Sequence, residues 1–209
     1  MATPLKNLGL RVKGTQLETC SQELVVELRQ AGLAHLNPDF YLGFEYGVPS
    51  KSRSMSMLFI DAVTEPDLLA ALAENGERPC SHREVRMCMR HEAGHLFCYA
   101  YELFNSDEFR TIFEVEGDYL DYPHWTKPWK GNPDSSKHVK YLETEKLAPA
   151  CYAQKHPDDD FAETFAVWLD PATNWRKQYA HQPVALGKLE YVGRLAKEWG
   201  VRRPKITRR

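Results

Sequence analysis

The chain has 209 residues, a formal net charge of −2, 43% hydrophobic residues and 27% charged residues. That balance excludes a disordered or fibrous chain, and it gives no global basic field to draw the protein to nucleic acid. No apolar stretch approaches membrane-spanning length, and Met1-Ala2-Thr3-Pro4-Leu5-Lys6-Asn7 lacks a signal-type apolar run, so a cytoplasmic protein with no membrane partner is expected.

One domain over 1–209 is expected, with an arm over 1–14 and a basic tail over 201–209. The apolar residues Leu17, Leu24, Val25, Leu28 and Leu33 recur at helical spacing between Thr15 and His35. The aromatic run Phe40–Val48 predicts a strand, the polar tract 49–54 a turn, and the stretch Met55–Val63 a second, buried strand. A short helix over 66–74 begins on Pro66 and stops at Asn75-Gly76.

The next helix announces itself. Ser81 and Glu84 form a capping box, in which each side chain satisfies a free backbone N–H of the first turn. The pattern runs from there to about Phe104, and His82 in its first turn reads as a surface residue. On this helix stands His91-Glu92-Ala93-Gly94-His95. Histidines at i and i+4 lie one above the other on a helix face, so both imidazoles can reach one metal ion. Glu92 then borders the position of an attacking water, where it would serve as general base.

A second short helix is expected over 107–115. The segment 117–133 is irregular and rich in aromatics and proline; Trp125 and Trp129 either line a cleft or anchor the segment to the core. Helical pattern resumes over 139–154, over 157–169 behind His156-Pro157, and over 184–199. The five cysteines, Cys20, Cys80, Cys88, Cys98 and Cys151, include no Cys-x-x-Cys pair. No zinc ribbon is therefore encoded, and reduced packing thiols are expected.

A catalytic zinc needs a third protein ligand. Helix 157–169 offers Asp159 and Glu163, four residues apart on one face, a pair suited to one metal ligand and one carboxylate orienting a ligand histidine. Asp158 and Asp160 read as surface acids that complement the helix dipole.

Together Arg90-His91-Glu92-Ala93-Gly94-His95 and His156-Pro157-Asp158-Asp159-Asp160-Phe161-Ala162-Glu163-Thr164-Phe165-Ala166 resemble zinc-binding metallopeptidases of the gluzincin type. The resemblance covers much of the C-terminal two thirds. A related pattern, carboxylate-x-Phe-Ala-Glu, follows the zinc helix of the lethal-factor toxin protease. It implies that Asp159 is the metal ligand and that Glu163 sits behind a ligand. The family usually has glutamate where this chain has Asp159. The aspartate is one methylene shorter, so either the helices come closer or Glu163 takes the metal. The resemblance also places Tyr152, seven residues before the ligand acid, as a donor to the oxyanion of a tetrahedral intermediate. The N-terminal zinc ribbon that the family often carries is missing.

The expectation is thus an α+β, zincin-like domain with a small N-terminal sheet and a mostly helical C-terminal part. It would be a zinc metallopeptidase acting on a peptide or protein substrate, which could pair with the edge of the strand near Met57–Val63. Two rivals stay open: a non-catalytic or regulatory zinc-binding protein on the same scaffold, and a zinc hydrolase of a non-peptide amide. His35, His124, His138, His156 and His181 lack ligand spacing; His124 or His138 could reach substrate, and His156 could order a helix start.

Overall fold

The computed structural model describes residues 7–120 and 135–206. Trp125, Trp129 and His124 lie outside the described residues. Helix α1, Gln16–Gln30, starts where the Thr15 side chain accepts the Leu17 N–H, and the chain turns out of it at Gly32 with a φ of +85°. Strands β1, Asp39–Gly43, and β2, Ser54–Leu58, pair in parallel with Tyr41 opposite Ser56.

The second strand is shorter than the sequence predicts. Phe59–Ala62 forms a 3-10 turn, because Asp61 is buried and needs donors. It finds them in the Tyr46 hydroxyl and the Cys80 N–H, each at 2.5 Å. The outer edge of β2 is taken at Ser56, just before the stretch expected to take a peptide. The connection from β1 crosses to the far side of β2, where Gly47 and Ser56 exchange backbone hydrogen bonds of 2.8 and 3.3 Å.

Helix α2, Pro66–Glu74, follows the predicted bounds. Helix α3, His82–Tyr101, begins with both halves of the capping box and ends on Glu102 in the left-handed region, three residues before the expected stop. Helix α4, Asp107–Ile112, is capped by Ser106. Helix α5, Pro157–Leu169, has His156 as its cap, with Nδ1 accepting from the Asp158 N–H at 3.1 Å. The short α6, Trp175–Gln178, was not legible in the sequence; α7, Pro183–Trp199, was. Among the described residues no helix is long and apolar enough to cross a membrane.

The stretch expected as a helix over 139–154 holds only two 3-10 turns, Leu142–Glu145 and Tyr152–Gln154, with Lys146 and Cys151 at positive φ. Pro149 interrupts the expected helix between the two left-handed residues, and the Tyr141 and Leu142 N–H groups at the start of the first turn are taken by the Glu163 carboxylate. The basic tail is docked rather than loose as far as it is described: the Lys205 N–H reaches the Ala100 carbonyl at 2.8 Å, and the Tyr101 hydroxyl the Arg202 carbonyl at 2.9 Å.

The core is built on α3 and α5. Phe97 packs on Phe165 with ring centroids 5.5 Å apart, and Phe161 meets Phe109 at 5.2 Å and Phe113 at 5.3 Å. Such ring pairs add about 0.5–1.5 kcal/mol each beyond their area burial. Leu24 and Leu28 of α1 and Val192 of α7 complete the layer. The two central helices touch backbone to backbone at Gly94: a Cβ there would sit 2.7 Å from the Ala162 Cα and 3.1 Å from the Phe165 Cβ. This close approach brings the first turn of α5 beside the two histidines of α3.

Candidate metal centre

Both imidazoles present Nε2 to the same point, with the two nitrogens 3.1 Å apart. Asp159 Oδ1 lies 3.9 Å from His91 Nε2 and 4.0 Å from His95 Nε2. A point equidistant from three atoms so spaced is roughly 2.1 Å from each, the length of a zinc bond to an imidazole nitrogen or a carboxylate oxygen. The group His91, Glu92 and His95 is buried, at 2%, 8% and 8% exposure, with ligand atoms mutually within 4.8 Å. It can hold a metal ion.

The outer nitrogens explain why Nε2 faces inward. His91 Nδ1 meets Glu163 Oε1 at 3.0 Å, and Glu163 is held in turn by the backbone N–H of Tyr141 at 2.6 Å and of Leu142 at 3.1 Å. Glu163 therefore lies behind His91, fully engaged, while Asp159 faces the point that the histidines share. The short aspartate reaches it because Gly94 lets α5 come close. The Asp159 Oδ2 atom is buried with no hydrogen bond; its nearest cation is Lys155 Nζ, 3.6 Å away.

Asp158 and Asp160 are not surface acids. Asp158 is fully buried; its Oδ2 lies 3.0 Å from His95 Nδ1 and accepts from the Tyr99 hydroxyl, and its Oδ1 accepts from the Tyr119 hydroxyl at 2.6 Å. Asp160 Oδ2 holds the buried Lys188 Nζ at 2.6 Å and faces His138 Nδ1 at 3.1 Å. That contact turns His138 to a structural pair. The partners stand 22 to 63 residues away in sequence, so nothing local to the helix could reveal them. Lys155 was also missed, although its i,i+4 spacing to Asp159 is a readable signal.

Tyr152 stands against the site. Its ring centroid is 5.7 Å from that of His91. Burial foremost, then the charges of Asp159 and Glu92, raise its pKa well above the ordinary phenol value, so the hydroxyl keeps its proton. Burial also raises the Glu92 pKa, with the two histidines opposing and Asp159 and Asp158 reinforcing. For His95, burial disfavours the charged ring, yet Asp158, Glu92 and Asp159 together outweigh it and push the pKa up to about 10. These surroundings favour positive charge.

A second group, Cys20, Glu23 and His82, is also close-set. There Arg86 Nε already lies 3.3 Å from Glu23 Oε2, and burial together with Glu23 pushes the Cys20 thiol up to about 11. A guanidinium thus holds the carboxylate that a metal would need. His82 is exposed, as expected of a surface residue, and pairs with Glu23 at 3.2 Å. A cleft of about 560 Å³, lined by Arg83, Arg86, Arg90 and Tyr141 among others, touches none of His91, Glu92, His95 or Asp159. Its arginines are engaged in ion pairs with Glu145, Glu27 and Asp170.

Comparison of the chain with protein-family models, with curated proteins and with solved structures found no match in any of the three.

Proposed function

We propose that the chain is a zinc-dependent metallopeptidase, with His91, His95 and Asp159 as metal ligands, Glu163 orienting His91, Glu92 as general base and Tyr152 as oxyanion donor. One observation carries the reading. Three electron-pair donors, two imidazole nitrogens and a carboxylate oxygen, converge on a single buried point at bond-length spacing. Acceptors so arranged repel one another unless a cation lies between them. Two nitrogens and one oxygen suit zinc, and three protein ligands leave the open position of a catalytic site. The resemblance of the two helical motifs to the gluzincin pattern supports the same assignment.

Zinc at that point would polarise a scissile carbonyl and lower the pKa of a coordinated water. The rest falls to side chains. Glu92, beside the histidines and lifted in basicity by burial, takes a proton from the attacking water and returns it to the leaving amine. The Tyr152 hydroxyl, one ring away from His91, donates to the developing oxyanion. Glu163 fixes the His91 ring with its proton on Nδ1.

The test is Glu92→Gln in a digest of a mixed peptide library with metal analysis alongside. Wild type should carry about one zinc and cleave; the variant should keep the zinc and lose roughly 10²–10⁴-fold in turnover. Undiminished cleavage by the variant refutes the assigned base. The burial of His91, Glu92 and His95 favours one second reading, a zinc-binding protein without hydrolysis. Zinc in wild type with no cleavage at any pH would establish it.

A further inference from the structure

We propose that Asp158 is the positioning carboxylate of His95, acting with Tyr119 and Tyr99, so that each histidine of the pair has its own carboxylate behind it. This rests on the zinc reading above and adds a residue that the gluzincin pattern does not supply. Asp158 lies with its Oδ2 3.0 Å from His95 Nδ1. The contact is off the ring N–H axis, so His95 Nδ1 has no well-aligned hydrogen bond. Charge attraction rather than alignment therefore carries it.

The two phenols fix the carboxylate. Tyr99, one turn beyond His95 on α3, donates to Oδ2, and Tyr119 donates to Oδ1 at 2.6 Å. Tyr119 is itself buried, stacked on Phe104 at 4.8 Å and set edge-on to Phe109 at 5.5 Å, so it cannot swing away. Two hydroxyls and an imidazole N–H thus converge on one fully buried group. All three can donate and the carboxylate offers only lone pairs, an arrangement that suits the anion. A buried anion at Nδ1 keeps the proton on that nitrogen and leaves Nε2 free for the metal.

Asp158 and Glu163 reach their histidines by different routes. Glu163 is held by the backbone N–H groups of Tyr141 and Leu142, and Asp158 by side-chain hydroxyls. The Asp158 arm can therefore be weakened one hydroxyl at a time.

The experiment measures zinc affinity by chelator competition in wild type, Asp158→Asn and Tyr119→Phe, together with the His95 Nδ1–H signal in ¹⁵N-edited proton spectra. Asp158→Asn keeps the shape and removes the charge; zinc affinity should fall about 10–100-fold. The slowly exchanging Nδ1–H signal of wild type should disappear with it. Tyr119→Phe should lower affinity less than tenfold and keep the signal. Wild-type affinity and an unchanged His95 signal in Asp158→Asn would overturn the inference. If Asp158→Asn does not fold, Tyr119→Phe decides, an undiminished affinity counting against the proposal. If wild type takes up no zinc, the metallopeptidase reading fails by itself. The metal-free spectra then judge Asp158, and absence of the Nδ1–H signal from wild type overturns it.

Discussion

Helices α3 and α5 both begin with acid in the first turn, and the acids of the two helices do opposite work. At α3, Glu84 closes a cap at the surface: its carboxylate accepts from the Ser81 N–H at 2.6 Å and pairs with the exposed Arg78 at 2.7 Å. At α5, Asp158, Asp159 and Asp160 are all buried, and each faces a different distant partner. One meets His95, one the point that the two histidines share, one Lys188. The first start is local electrostatics. The second is the hub of the tertiary structure, and an acidic helix start says nothing by itself about which of the two it is.

The largest effect should come from breaking the Asp160 contact. Lys188 is buried, its ammonium 2.6 Å from Asp160 Oδ2 and 5.5 Å from the centre of the Phe113 ring. Lys188→Met leaves a buried carboxylate facing only His138, which should cost about 3–5 kcal/mol. Urea unfolding measures it. Adding Asp160→Asn to Lys188→Met should recover much of the loss, since replacing both members of a buried pair is far milder than removing one. A surface acid at 160 would show neither effect.

Next comes the crossing that brings the α5 acids to the α3 histidines. Alanine is the better helix former by about 1 kcal/mol, so Gly94→Ala would stabilise an isolated α3. In the folded chain the new methyl lands 2.7 Å from the Ala162 Cα, a backbone atom that cannot turn aside. Overpacking of this kind costs about 1–3 kcal/mol, which at least cancels the propensity gain and in the upper range exceeds it. The variant should therefore be no more stable than wild type, and its zinc affinity should fall as Asp159 is pushed back. A stabilised Gly94→Ala with unchanged zinc affinity would show that the close approach is not what places Asp159.

What the sequence revealed follows the same division. The α3 start, the two histidines and Glu92 were legible because the cap and the i,i+4 spacing are local features. The bounds of α5 were legible from His156-Pro157. The separate duties of Asp158 and Asp160 were not, because Tyr99, Tyr119 and Lys188 belong to other elements. The helix expected over 139–154 failed because periodicity passes over the breakers inside it, Pro149 between the left-handed Lys146 and Cys151. Nor can periodicity register that the Tyr141 and Leu142 N–H groups serve a distant carboxylate, Glu163. The turn at Phe59–Ala62 likewise answers to Tyr46 and Cys80, which satisfy the buried Asp61.

The smallest effect belongs to the surface start. Hydrogen bonding to Arg78 foremost, then to the Ser81 N–H, lowers the Glu84 pKa from 4.5 to about 2, with slight burial opposing. A carboxylate depressed on folding contributes stability that is full above its unfolded value and is lost as pH falls through its folded one. The window here runs from about pH 4.5 down to about pH 2. Glu84→Gln keeps a side chain that can still complete the capping box, and the Arg78 partner is exposed and screened by solvent, so at neutral pH the change should cost about 0.5–1 kcal/mol, well under what the full pKa shift would give for a buried pair. The gap between variant and wild type in urea midpoint should hold steady above pH 5 and close as the pH drops through that window. A cost of several kcal/mol at neutral pH would mean that Glu84, like the α5 acids, answers to a partner inside the fold. A gap that persists unchanged at the acid end would show that the carboxylate's charge contributes nothing to the cap.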